Sequence, residues 1–251
     1  MNPTYVRIEL LRQSRDIGNI MFILFMPVAM YLLFGNMFGG GGESAGNGNV
    51  KFYVMASMAA YGAAVATTSI AGTAATESML GWGRQIALTP MKPRDFVAAK
   101  VSVALIVSAA SIGIVYMFGA FTGAQAETPA IWTMSYVITV VGSGIYALYG
   151  MGIGMSFKSE TAIGVAAAGM VFFAFFGNVF LPLSGTMLSI ARFTPMYGYA
   201  GLARYPLTEG IGAGAGAGTD SLMVLMANVV AWTLIFAALA LWAVRRSRVR
   251  Q

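Results

Sequence analysis

The 251-residue chain contains no cysteine and no histidine, and only 10% of its residues are charged. Without those two residue types there is no disulfide frame, zinc cluster, thiolate nucleophile or Ser-His-Asp triad. No G-x-x-x-x-G-K-[ST] phosphate loop occurs, so the chain does not hold ATP in that way. Ordinary soluble domains carry about 25% charged residues. A soluble core of this size would not hide 58% apolar residues behind so few charges. The mean hydropathy of +0.73 points the same way. The composition is that of a polytopic membrane protein. The formal charge of +6 then reports basic loops on one side of a membrane rather than nucleic acid.

A spanning helix needs about 20 apolar residues. Six charge-free gaps are long enough: 17–42, 52–76, 101–126, 128–157, 161–191 and 221–244. They predict spans near 18–38, 53–76, 101–122, 131–156, 162–182 and 222–244. All six are expected to be helices, since a segment in lipid must satisfy its own backbone groups; the two-residue alternation of a barrel is absent. With the N-terminus in the cytoplasm, only Lys51, Arg192 and Arg204 lie outside, and the other twelve of the 15 Lys and Arg lie inside. That asymmetry sets the orientation, and an even number of spans puts both termini inside. The first apolar run is too long for a typical signal-peptide core and lacks a clear cleavage site.

The connecting segments are uneven. Residues 3–16 mix apolar side chains with three Arg and read as an amphipathic helix in the interface. The loop 39–49 is a flexible Gly-rich connector. Residues 77–100 form the longest cytoplasmic loop, with Met79, Leu80, Trp82, Ile86 and Leu88 set against Arg84 and Gln85, and with prolines at 90 and 93 that end any helix. A short helix laid on the cytoplasmic face is what docking to a soluble motor requires. Residues 183–220 hold an apolar stretch too short to span, which reads as a re-entrant or interfacial hairpin on the outer face, followed by a Gly/Ala run at 210–218.

No Asp, Glu, Lys or Arg falls inside a predicted span, which argues against a proton-driven antiporter and a charged selectivity ring. Small residues crowd the second span, and Gly35–Gly39 and Gly150–Gly154 fit G-x-x-x-G, a pattern that serves packing within the chain or a dimer face. Of the few polar groups at membrane depth, Asn178 stands out because it lies among Phe175, Phe176 and Phe180; it suits a substrate path or an interhelical bond. The expected path runs past Asn178, Phe180 and Pro182, with Tyr61 and Thr67 on the second span. The 18 Met suit either an apolar binding surface or ordinary packing.

At the loop 77–100 the sequence resembles the permease subunits of type-2 ABC exporters. The resemblance rests on Glu77, Gly81, Arg84, Leu88, Thr89-Pro90 and Lys100, on Phe180-Leu181-Pro182-Leu183-Ser184 after the fifth span, and on Phe193-Thr194-Pro195-Met196-Tyr197. It covers the chain in order and spacing. The chain departs from the pattern at Gly81-Trp82-Gly83 and in the Gly/Ala run.

The resemblance implies an all-α membrane fold: six transmembrane helices, an N-terminal interfacial helix, a cytoplasmic coupling helix between spans two and three, and an outer re-entrant segment between spans five and six. It implies a single permease domain over 1–251. Two permease chains, identical or sister, would pair with two cytoplasmic ABC ATPase subunits, and ATP and Mg would bind in that partner. Glu77, Gly81, Arg84, Thr89, Pro90, Arg94 and Lys100 would make the contact. The branch closest in character exports drugs and antibiotics, which implies a hydrophobic or amphiphilic substrate leaving a bacterial plasma membrane. No catalytic residue, metal, cofactor or nucleic-acid partner is expected for the chain itself. A lipid-linked polysaccharide permease is the first rival, with Tyr31, Tyr53, Tyr61, Trp132, Tyr136, Tyr146 and Tyr149 as candidate sugar-stacking rings. A non-transporting membrane scaffold is the second.

Overall fold

The computed structural model describes residues 3–39, 43–79, 93–156, 161–212 and 218–249. Among them ten helices form the fold: α1 (Pro3–Arg15), α2 (Ile17–Gly39), α3 (Val50–Met79), α4 (Pro93–Phe121), α5 (Pro129–Gly142), α6 (Gly144–Ser156), α7 (Thr161–Phe176), α8 (Gly185–Ala191), α9 (Pro195–Thr208) and α10 (Leu222–Val249). The β contacts among the described residues are isolated bridges between loops. Among the described residues five stretches are long and apolar enough to cross a membrane: Ile17–Gly39, Val50–Thr73, Arg94–Phe121, Pro129–Ser156 and Leu222–Arg246.

The small residues of the second span put α3 at the centre. In its most apolar stretch 83% of residues are buried, against 22% for α2 and 11% for α10. Gly62 admits Pro27 of α2, whose Cγ lies 2.3 Å from where a Cβ would stand, and Gly150 of α6 sits as close to the backbone of Thr68. Gly152 packs on Leu239 of α10, and Gly39 on Lys51. Gly39 and Gly150, one from each G-x-x-x-G stretch, thus serve packing within the chain.

The fourth crossing is broken. Helices α5 and α6 meet at Ser143, whose N–H turns back to Thr139 O and Val141 O. Ser143 O accepts the Tyr146 N–H at 3.0 Å and also the Thr67 hydroxyl at 3.0 Å, and the Ser108 and Ser143 hydroxyls meet at 3.1 Å. A break at membrane depth persists because neighbouring side chains take up the released backbone groups.

The fifth crossing differs from the expected 162–182. Helix α7 stops at Phe176 after 16 residues, about 24 Å of rise against the roughly 30 Å of hydrocarbon. Asn178 ends it by adopting a left-handed φ of 55°, a conformation Asn tolerates better than most residues. Its Oδ1 then accepts the Leu183 N–H at 2.8 Å. Gly177 is needed at this corner because a Cβ there would meet Met196 of α9 at 2.2 Å. Phe180 and Pro182, expected within the fifth span, therefore lie in the turn beyond it.

Helices α8 and α9 form a hairpin after the Asn178 corner. Its tip is tied well along α10: Asn228 Nδ2 donates to Arg192 O at 2.8 Å, and Trp232 Nε1 to Phe193 O at 2.9 Å. Trp232 is about 15 Å of helical rise from the start of α10. One side of α9 is buried through Met196, Tyr199, Ala200, Ala203 and Leu207. Pro195 starts the helix where its missing N–H costs nothing.

The distal end of the bundle, away from the termini, is stitched by its loops. Asn49 Oδ1 accepts the N–H groups of Phe52 and Gln125, its Nδ2 donates to Gly123 O, and the Asn47 N–H reaches Leu207 O. The flexible connector expected over 39–49 is, from residue 43 onward, a fixed part of this rim.

At the opposite end, α4 starts at Pro93, two turns before the expected 101, with Asp95 in its first turn where an acid favours the helix dipole. This brings Lys100 inside a helix and places it against α1. Lys100 Nζ lies 2.5 Å from Glu9 Oε1, and the two side chains are 0% and 5% exposed. Tyr5 packs on Phe96 with ring centroids 6.3 Å apart. One face of the N-terminal helix is thus docked on the bundle.

Candidate functional site

A distal cavity of about 230 Å³ lies between α2, α3 and the turn after α7. Its walls are apolar, with Phe34 and Phe38 from α2, Val54 and Met58 from α3, and Val179, Phe180, Leu181 and Pro182 from the turn. Each element contributes for a local reason. The Asn178 corner turns the chain out of α7, which swings Phe180 onto α2 and α3. Its ring then stacks on Phe34 at 5.8 Å and meets Tyr61 edge-on at 5.0 Å. Tyr53, Ser57, Asn178 and Glu43 supply the polar lining.

Three of the five expected path residues, Asn178, Phe180 and Pro182, come together in this cavity. Tyr61 stands behind Phe180 and lines a smaller recess of about 40 Å³ beside Pro27 and Gly62. Thr67 is elsewhere: it is fully buried and bonded to Ala63 O and Ser143 O, so its hydroxyl holds the break in the fourth crossing. Of the seven candidate sugar-stacking rings, Tyr53 lines the large cavity and Tyr61 the small one. Tyr31, Tyr136, Tyr146 and Tyr149 instead bond to Thr122, Ala109 O, Met196 and Ala166 O. Trp132 packs edge-on against Phe52 at 4.8 Å.

Behind the cavity wall lies Arg204 of α9, which is 5% exposed. Its guanidinium carbon sits 4.8 Å from the centroid of Tyr53. Its Nη1 donates to Asn178 O at 2.8 Å and to Ser57 Oγ at 3.3 Å. By sequence Arg204 counts only as an outside-loop charge. The spacing of Met196, Ala200, Ala203 and Leu207 carries the missing signal: it is the apolar stripe of a helix, and Arg204 borders it. A second recess of about 30 Å³ is lined by Arg204, Tyr53, Asn178, Tyr197 and Asp220. There Arg192 Nη2 lies 3.0 Å from Asp220 Oδ1, and the Tyr197 hydroxyl donates to Asp220 Oδ2. Burial, then the bond to Asp220, pushes Tyr197 up to about 12.

The expected motor-contact residues are divided. Gly81, Arg84, Thr89 and Pro90 lie outside the described residues. Glu77 is in the last turn of α3, and Arg94 is exposed in the first turn of α4, so both flank residues 80–92. Lys100 is not on that surface. Its charge is taken up by Glu9, which makes it a tie between α4 and α1. Among the described residues no three metal-ligating side chains come together.

The family described as "ABC-2 type transporter" matches residues 4–206, most of the chain and nearly every element described above. The chain belongs to that family. A relative, "Putative transport permease YvfS" of Bacillus subtilis (strain 168), is 26% identical over 214 residues, covering 80% of this chain and 83% of that one. The match leaves α10 beyond its end and includes α1, the broken fourth crossing, the Asn178 corner and α9 as far as Arg204. The distal cavity is therefore built from ABC-2 residues throughout. An ABC-2 chain is a transport permease rather than an enzyme, which agrees with the apolar walls of that cavity.

Proposed function

We propose that the chain is the permease subunit of an ATP-driven exporter that moves a hydrophobic or amphiphilic molecule, such as an antibiotic, drug or lipid-like compound, outward across a bacterial plasma membrane. Both termini face the cytoplasm, and the distal end faces out. ATP and Mg are held by a separate cytoplasmic ABC ATPase, and the permease works as a pair with an identical or sister chain. The distal cavity carries this reading, because an apolar recess with a few polar groups is the usual form of a small-molecule site. Family membership and the basic side of the chain support the rest.

In this scheme Glu77, Gly81, Arg84, Thr89, Pro90 and Arg94 form the docking surface. The ATPase reshapes the cavity only through contacts that differ between its two states. The test is mild-detergent purification with the products of neighbouring genes, followed by mass spectrometry of intact complexes. Two ATPase copies with two permease chains are expected, and Arg84→Glu is expected to lower substrate-stimulated ATP hydrolysis without loss of membrane insertion. Absence of an ATPase under conditions that preserve other complexes would favour a scaffold instead.

A further inference from the structure

Among the described residues nothing neutralises the charge of Arg204. No carboxylate among the described residues pairs with it, although the Glu9, Arg12, Lys100, Arg192 and Asp220 charges are all paired. Its two hydrogen-bond acceptors, Asn178 O and Ser57 Oγ, are neutral and both engage Nη1. Asp220 lines the same small recess, but Arg192 and the Tyr197 hydroxyl occupy its oxygens. Glu43 stands exposed at the large cavity, where water screens it. The Tyr53 ring 4.8 Å from the guanidinium offers no formal negative charge, and a buried cation without an anionic partner is costly, since buried charges are normally paired.

The recess beside Arg204 and the apolar cavity share two lining residues, Tyr53 and Asn178, and Ser57 of the cavity wall bonds to Arg204. The recess has room for about two waters, enough for the oxygens of one small acidic group. A guanidinium is the side chain best shaped for such a group, because its planar donors match a carboxylate or phosphate. We propose that this pair of recesses binds an anionic amphiphile: its carboxylate or phosphate pairs with Arg204, and its hydrocarbon lies along Phe34, Phe38 and Phe180. The assignment rests on the cavity being the substrate site and specifies what that site takes.

The test is competition between dodecyl phosphate and dodecyltrimethylammonium, equimolar and of equal chain length, read by native mass spectrometry of the full chain. Wild type is expected to retain the phosphate at least about tenfold over the ammonium. Arg204→Gln should erase the preference, and Arg204→Lys should keep part of it. A wild-type chain that takes both equally, or prefers the ammonium, overturns the proposal, as does a preference that survives in Arg204→Gln. Phe180→Ala should weaken both probes alike. If it changes neither while Arg204→Gln still erases the preference, the apolar cavity is not the site and the amphiphile assignment falls. Phosphatidylglycerol carried through purification by wild type but not by Arg204→Gln identifies the ligand as a resident lipid. A lipid-free site that takes dodecyl phosphate identifies it as cargo. Both results uphold the anion site.

Discussion

The ammonium of Lys100 and the carboxylate of Glu9 meet at 2.5 Å in a place closed to solvent, joining α4 to α1. Glu9 is also 2.7 Å from Arg12, whose side chain is 40% exposed. The same carboxylate thus makes one dry and one wet ion pair.

Removing one partner of a buried pair costs about 3–5 kcal/mol, whereas an exposed pair is worth at most about 1 kcal/mol. A double-mutant cycle with Glu9→Gln and Lys100→Met should give a coupling energy above about 1.5 kcal/mol. The cycle with Glu9→Gln and Arg12→Met should give less than about 1 kcal/mol. Both are read from unfolding in detergent. Equal couplings would mean that α1 is not docked as described.

Thr67 sits where α5 and α6 part. Thr67→Val keeps the shape and removes the hydroxyl bond to Ser143 O, which keeps only the Tyr146 N–H. Losing that second bond should cost about 0.5–1.5 kcal/mol of stability. Thr67→Ser should restore most of it. A Thr67→Val protein as stable as wild type would show that the break has another support.

The Tyr197 phenol has a folded pKa of about 12, above its ordinary 10.0. Because the folded state holds the proton more tightly, its contribution to stability is complete below pH 10 and is lost as pH rises through about 12. Tyr197→Phe should therefore be less stable than wild type at pH 8, having lost the bond to Asp220. The gap should close as pH approaches 12. Melting curves of the two proteins across pH 8–12 provide the check. A gap constant across that range would separate the Tyr197 proton from stability.

The helices α2, α3, α4, α5 with α6, and α10 are legible in the sequence because membrane crossing is a property of apolar run length, which the gaps between charges measure directly. The same measure fails at the fifth crossing. A charge-free run from 161 to 191 does not reveal that Asn178 takes a left-handed turn and that Gly177 must admit Met196. The grouping of Asn178, Phe180 and Pro182 is legible because an amide among aromatic rings is unusual enough to need a purpose. Thr67 shares the polarity without the purpose, since its partner is a backbone carbonyl at a helix break 76 residues away. Arg204 and Lys100 mislead for one reason. Both look like loop charges, whereas each is brought into the bundle by a helix that begins earlier than expected or is too short to cross.

The hairpin tip hangs from α10 by the side chains of Asn228 and Trp232, and α10 is the least enclosed of the five long crossings. Whatever leans on α10 therefore pulls on Arg192, Phe193 and Thr194, and through α9 on Arg204. A thinner bilayer, which makes a long helix lean, would act on the wall of the cavity from outside, with no ligand or nucleotide involved. The most lipid-exposed helix of the bundle is in this sense a lever, and membrane thickness is a load upon it.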